Sequence, residues 1–298
     1  MSLTDTKAPA AKRRSLSDML HRQPLSALDY GRWHSLRFVV ALTLFFLYAP
    51  IIGLMVFSFN DSRRNIVWRG FTTDYYERAF NNTELMAAFG NSLTIAFITT
   101  IVATALGACA AYVLHRFRFT GKAVYDGATA LPIVVPEICM GVAMMVFFAR
   151  IGWPSGLIWP LNLGAITAAH IAFSFPFVAI VVRARLATLN PELGEAARDL
   201  GANEFQVFRD VVVPHMRPGL VAGGLLAFTL SLDDFVITFF TSGPDTVTFP
   251  VKIYSMVRFS VTPEVNAAST ILILITVAVT IAALMLQNRN NLLRDANG

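Results

Sequence analysis

Charge and cysteine are scarce in this chain. Asp, Glu, Lys and Arg make up 14% of its 298 residues against 55% hydrophobic, which is too apolar and too weakly charged for an ordinary soluble domain of that length. The two cysteines, Cys109 and Cys139, each sit inside an apolar stretch. Neither a disulfide framework nor a zinc cluster is available from them, and both read as small packing residues. No Gly-x-x-x-x-Gly-Lys-Ser/Thr run occurs, so ATP phosphates cannot be cradled by a loop of that type. The sequence offers no metal-ligand cluster, no nucleophile with a spaced base and no cofactor fingerprint. A membrane enzyme is therefore disfavoured, with no catalytic or metal residue to nominate.

Long apolar runs are what the chain has. A membrane-crossing helix needs roughly 20 mostly apolar residues, and six stretches qualify: Phe38–Phe59, Leu85–Leu114, Gly127–Ala149, Leu161–Val182, Leu220–Thr241 and Ala267–Leu286. The expected fold class is all-α integral membrane with six transmembrane helices. Three of the stretches carry no Asp, Glu, Lys, Arg or His, while the others hold Glu137, His170 and the Asp233-Asp234 pair. Basic residues are retained on the cytoplasmic side of a bilayer. With the N-terminus inside, 17 of the 24 Lys and Arg fall on that side, so both termini are expected in the cytoplasm. The net charge of +5 is spread over membrane-flanking segments instead of forming one basic stripe with interleaved aromatics, which excludes nucleic acid as the natural partner. Without repeats or low-complexity tracts, the organisation reads as a flexible cytoplasmic N-terminal tail over 1–36, one membrane domain over 37–288 with a long loop at 185–218, and a C-terminal tail over 289–298.

Local chemistry refines this picture. The second stretch is rich in Gly and Ala, which let helices approach closely in lipid, and so it is expected to sit centrally. Pro132 and Pro136 should bend the third. Glu137 beside the bend then either belongs to a pathway wall or lies at the external boundary of a helix kinked for packing. Between Asn60 and Glu84, the aromatic residues Trp68, Phe71, Tyr75, Tyr76 and Phe80 have spacings that put several on one helical face. They either anchor at the membrane interface or form a docking surface. His170 reads as a neutral imidazole hydrogen-bonded to another helix.

Between Arg183 and Pro218 the chain leaves the membrane for more residues than a connection needs. Asn190 can cap a helix that begins with Pro191 and Glu192. Glu195, Ala196, Ala197 and Leu200 continue it, and Gly201 can end it with positive φ. Asn203 then caps a second helix running toward Val211 that Pro214 should terminate. Two short helices joined at a glycine make a knob, and the small side chains of Ala196, Ala197 and Ala202 let it seat against another protein.

Glu195-Ala196-Ala197, three residues, Gly201, nine residues and Val211-Val212-Val213-Pro214 resemble the cytoplasmic loop of permeases in ATP-binding cassette importers. The resemblance continues through Ser231-Leu232-Asp233-Asp234, Ser242-Gly243-Pro244, Phe249-Pro250, Ile253-Tyr254-Ser255-Met256-Val257 and Val261-Thr262-Pro263-Glu264-Val265-Asn266-Ala267. Together these are similar to the spermidine/putrescine importer permeases, specifically their second permease subunit. The resemblance implies a type I importer permease (MetI-like) fold in a bacterial inner membrane. It implies that Glu195, Ala196, Ala197, Gly201, Ala202 and Pro214 form an ATPase-coupling element. Its partners would be two copies of an ABC ATPase that binds ATP and Mg, a homologous second permease and a periplasmic polyamine-binding protein. The N-terminal tail departs from the shorter starts of that family.

An intramembrane carboxylate is costly and is by default a functional candidate, so Asp233, Asp234 and Glu137 are nominated for a polyammonium pathway. The competing reading has one Asp capping a helix or pairing with Arg258 or Lys252 and the other facing water. Rival functions are an importer permease for an opine, an amino-phosphonate or a metal, and a transporter driven by an ion gradient without ATP.

Overall fold

A computed structural model describes residues 34–62, 67–151, 161–259 and 263–295. The chain divides into two units, 1–54 and 55–298. The expected N-terminal tail and the end of the C-terminal tail lie almost entirely outside the described residues. Helix α1 (His34–Phe57) crosses the unit boundary. It is long and apolar enough to span a bilayer, and Thr43 returns its hydroxyl to the Val39 carbonyl at 2.9 Å, so its polar atom is satisfied within the helix.

The second unit is built on α3 (Thr83–Arg116), α6 (Leu163–Leu186) and α9 (Val213–Leu232), which pack on one another. Their contact has a specific cause. Val178 of α6 lies between Gly107 of α3 and Gly223 of α9. A Cβ on Gly107 would stand 2.7 Å from Val178 Cβ, and one on Gly223 would stand 2.9 Å from Val178 Cγ1. Lipid tails are as apolar as the side chains, so close packing through small residues is what holds helices together here. The central position expected for the small-residue helix is the one observed. Ala103, Ala111, Val178, Val182, Leu186, Val212, Met216 and Ala227 form the core of this contact.

Around it lie α2 (Asp74–Asn81), α4 (Lys122–Val134), α5 (Glu137–Ile151), α10 (Val236–Thr241), α11 (Phe249–Phe259) and α12 (Pro263–Asp295). Among the described residues five helices are long and apolar enough to span, or six if α4 and α5 count as one. That pair does not form the continuous bent helix expected over Gly127–Ala149. Its halves are inclined by 108° because Val135, preceding Pro136, is held in extended conformation with ψ 129, as steric conflict with the proline ring requires.

Other expectations are corrected too. Cys109 and Cys139 are both exposed on this chain instead of packed inside it. Among the described residues of the aromatic loop, Asp74–Asn81 is helical and Thr83 already opens α3, so Trp68 and Phe71 do not share a helical face with Tyr75, Tyr76 and Phe80. Phe71 instead pairs with Asn60 in an isolated antiparallel bridge and stacks on Phe59 at 5.3 Å. The buried Asn60 organises this turn, donating to the Val67 carbonyl and accepting from the Arg69 amide, both at 2.9 Å.

Candidate functional site

The loop between α6 and α9 folds as its sequence dictates for its first half. Asn190 accepts from the Glu192 amide at 3.1 Å and Pro191 takes the first turn of α7 (Pro191–Asp199). At the other end Gly201 has φ 88. Its amide donates to the Arg198 carbonyl at 2.8 Å, and the Ala202 amide donates to the Ala197 carbonyl at 3.0 Å. These two bonds make a Schellman motif, which needs a left-handed residue at the position of Gly201. Asn203 then caps α8 (Glu204–Val207) through a capping box with Gln206.

The second half differs from expectation at Pro214. The helical path does not end there. Phe208–Val212 forms one π turn and the chain runs on into α9, with Pro214 in its first turn. A proline inside a regular α-helix removes one amide and crowds the carbonyl four residues back. The wider π turn just before Pro214 relieves that conflict, so α8 and the span form one helical rod, Glu204–Leu232, with a local widening.

The knob is strapped to the bundle by polar contacts. Arg198 donates to Glu204 through Nε at 2.7 Å and Nη2 at 3.3 Å, and Arg116 at the end of α3 lies 3.5 Å from the same carboxylate. The Glu204 carboxylate holds the Arg198 guanidinium above the usual arginine range. His215 Nε2 stands 3.0 Å from the Arg185 carbonyl, joining the ends of α6 and α9. A cleft of about 230 Å³ opens between these elements, with Tyr112, Leu186, Glu195, Arg198, Glu204 and Val212 in its lining. Glu195, Ala196 and Gly201 are exposed, and Ala197, Ala202 and Pro214 are half-buried. The most exposed apolar groups of this knob are Leu200 at 90% and Phe205 at 67%, neither of them among the coupling residues nominated from the motif. The signal was present, since both are large apolar residues in a segment that otherwise carries charge.

The carboxylates lie at the far end of α9, which at 1.5 Å per residue is about 30 Å long. The expected fifth span, Leu220–Thr241, does not run through them. Helix α9 ends at Leu232 and α10 begins at Val236. The cause is Asp234, whose side chain accepts from the Ile237 and Thr238 amides at 3.4 and 2.8 Å and from the Thr238 hydroxyl at 2.9 Å. Such a side chain offers the backbone an alternative to continuing the helix. Asp234 also pairs with His170 Nε2 at 3.2 Å, and its side chain is only 5% exposed. It caps a helix, as the competing reading held, but its side-chain partner across the bundle is His170 and not Arg258 or Lys252. Lys252 pairs with Glu84 instead.

Asp233 is turned the other way and is exposed. Just beyond it α10 packs closely on α5, the helix that Glu137 opens, where Gly141 faces Ile237 and Phe240. Among the described residues neither Asp233 nor Glu137 has a basic side chain within salt-bridge distance. The fold thus places two of the three nominated carboxylates on neighbouring elements and gives the third a structural partner.

Comparison with known proteins agrees with this architecture. A family model described as "Binding-protein-dependent transport system inner membrane component" matches residues 103–291. The spermidine/putrescine transport system permease protein PotC of Escherichia coli (strain K12) is 42% identical over 238 residues, covering 80% of this chain and 88% of that protein. The putrescine transport system permease protein PotI of the same strain is 40% identical over 241 residues, covering 80% and 85%. A solved bacterial ABC transporter involved in the import of the acidic polysaccharide alginate superposes with a TM-score of 0.69 at 17% identity, over 88% of this chain and 96% of that one. At that identity the likeness concerns the fold alone. The matched segment takes in the α6–α9 loop and the α9–α10 break, and the chain belongs to the inner-membrane permease family of binding-protein-dependent ABC importers.

Proposed function

We propose that this chain is one permease half of an ATP-driven importer of polyamines such as putrescine and spermidine. The observation that carries the reading is the identity of 42% and 40% with PotC and PotI over 80% of the chain. The site supports it chemically. Two carboxylates with no cationic neighbour among the described residues, Asp233 and Glu137, suit a di- or polyammonium ligand, whose attraction in a site of low effective dielectric is several-fold stronger than in bulk water.

In this reading both termini and the α7–α8 knob face the cytoplasm, and the α9–α10 break faces the external half of the membrane. A separate ATPase binds ATP and Mg, and this chain holds no cofactor. Glu195, Ala196, Ala197, Gly201, Ala202 and Pro214 shape the coupling element, with Leu200 and Phe205 as its apolar anchors in the ATPase. A second, homologous permease completes the channel, and a periplasmic polyamine-binding protein delivers the substrate. ATP-driven closure of the ATPases moves the knob. Because the second helix of the knob, α8, forms one rod with the π turn and α9, that motion biases the bundle between inward-open and outward-open arrangements.

The test is uptake of radiolabelled putrescine and spermidine by cells in which the chain's gene is deleted and then restored. Loss and recovery of uptake support the reading. Uptake that is indifferent to the deletion refutes the substrate.

A further inference from the structure

His170 is one of the largest fully buried side chains and belongs to neither set of residues discussed so far. It stands on α6 but touches the end of α9 and the start of α10. Its Nδ1 lies 2.8 Å from Ser231 Oγ, and its Nε2 lies 2.9 Å from Thr238 Oγ1 and 3.2 Å from Asp234 Oδ2. The hydrogen-bond inventory fixes the tautomer. The Thr238 hydroxyl donates to Asp234 Oδ2, so its oxygen can only accept from the ring. The carboxylate accepts as well. The proton therefore belongs on Nε2, and in the neutral ring Nδ1 accepts from the Ser231 hydroxyl.

Ser231, His170 and Asp234 thus follow the order of a nucleophilic relay. Ser231 is nevertheless buried at 4% exposure, and its hydroxyl is spent on the ring inside the helix contact, away from any solute. The chain of bonds is a mechanical connection between three helices.

We propose that His170 is a positioning residue for the cation pathway. Its ring clamps the break between α9 and α10, and by holding Asp234 inward it keeps the adjacent Asp233 turned outward, beside the helix that Glu137 opens. This inference rests on reading Asp233 and Glu137 as the substrate-facing pair. Removing the ring leaves a buried carboxylate and two buried hydroxyls each short of a partner. Hydrogen bonds to a charged group carry about a tenfold effect or more.

The test uses the assembled importer reconstituted in liposomes, with uptake of radiolabelled putrescine measured against concentration and normalised to assembled complex. His170→Ala is expected to raise the half-saturating concentration about tenfold while unstimulated ATP hydrolysis stays at its wild-type rate. His170→Gln, which can still donate to Asp234, is expected to recover most of the loss. A merely structural residue would lower the quantity of complex without moving half-saturation. If His170→Ala fails to assemble, Thr238→Val, which removes one oxygen at nearly constant volume, is expected to shift half-saturation in the same direction.

A second readout does not depend on what is carried. With Cys109 and Cys139 replaced by Ser, Asp233→Cys is labelled with a water-soluble maleimide, and the labelling rate reports the placement of that position. His170→Ala should change this rate and His170→Gln should restore it. Unchanged half-saturation and labelling in His170→Ala, or no recovery with Gln, would overturn the clamp. A wild-type complex that does not take up putrescine would refute the substrate reading, and the labelling rates would still decide the clamp.

Discussion

Replacing Gly201 by valine isolates the coupling knob from the rest of the molecule. The backbone at Gly201 has φ 88, where a side chain costs about 1–2 kcal/mol and a β-branched one is strained further. If the backbone instead relaxes to negative φ, the bonds from Gly201 to Arg198 and from Ala202 to Ala197 are lost, at about 1 kcal/mol each. Both routes cost about 2 kcal/mol, which shifts the population of a correctly folded knob by roughly 30-fold. No atom lies within 4 Å of a Cβ placed there, so the core around Val178 does not feel the change. The expected outcome is normal membrane insertion, measured by protease protection, with ATP-driven uptake reduced by at least an order of magnitude. Gly201→Asn should retain most of the uptake, since asparagine tolerates the left-handed region. Wild-type uptake in Gly201→Val would refute this reasoning, and failed insertion would show that the residue serves folding instead.

Gly223→Val should disrupt the α6–α9 contact at Val178 at a cost of about 1–3 kcal/mol, read as a lower melting temperature of the purified chain in detergent, whereas Gly53→Ala in α1 should leave it unchanged. Leu200→Glu should weaken association with the ATPase by about tenfold, because a handful of central apolar contacts dominates an interface, and co-purification would measure it. Asp233→Asn and Glu137→Gln should each lower putrescine uptake by about tenfold, equivalent to about 1.4 kcal/mol, without altering unstimulated ATP hydrolysis.

Much of this was legible in the sequence because it is local or periodic. Apolar length located the spans, and the Asn190 cap, the positive φ at Gly201 and the Asn203 cap all follow from chemistry within a few residues of each position. The small residues of α3 announced a helix that others approach closely. What failed involved a competition between neighbouring signals. Pro214 reads as a terminator when considered alone, but a π turn absorbs it. The apolar run through Thr241 reads as one span until Asp234 captures two amides and starts a new helix. Cys109 and Cys139 read as packing residues from hydrophobicity, which in a membrane does not separate the inward face of a helix from the outward one. That Asp233 and Glu137 sit on neighbouring elements depends on the packing of α5 against α10, a relation between distant segments that spacing along the chain does not encode.

The most direct measurement is ATP-driven accumulation of radiolabelled putrescine in proteoliposomes containing this chain purified with the subunits that accompany it from its native membrane, together with the binding protein. Accumulation that requires hydrolysable ATP, and that is lost with Gly201→Val in the knob and diminished with Asp233→Asn at the break, is the predicted result. Accumulation that proceeds without ATP, or a purified chain that brings no ATPase with it, would contradict the assignment.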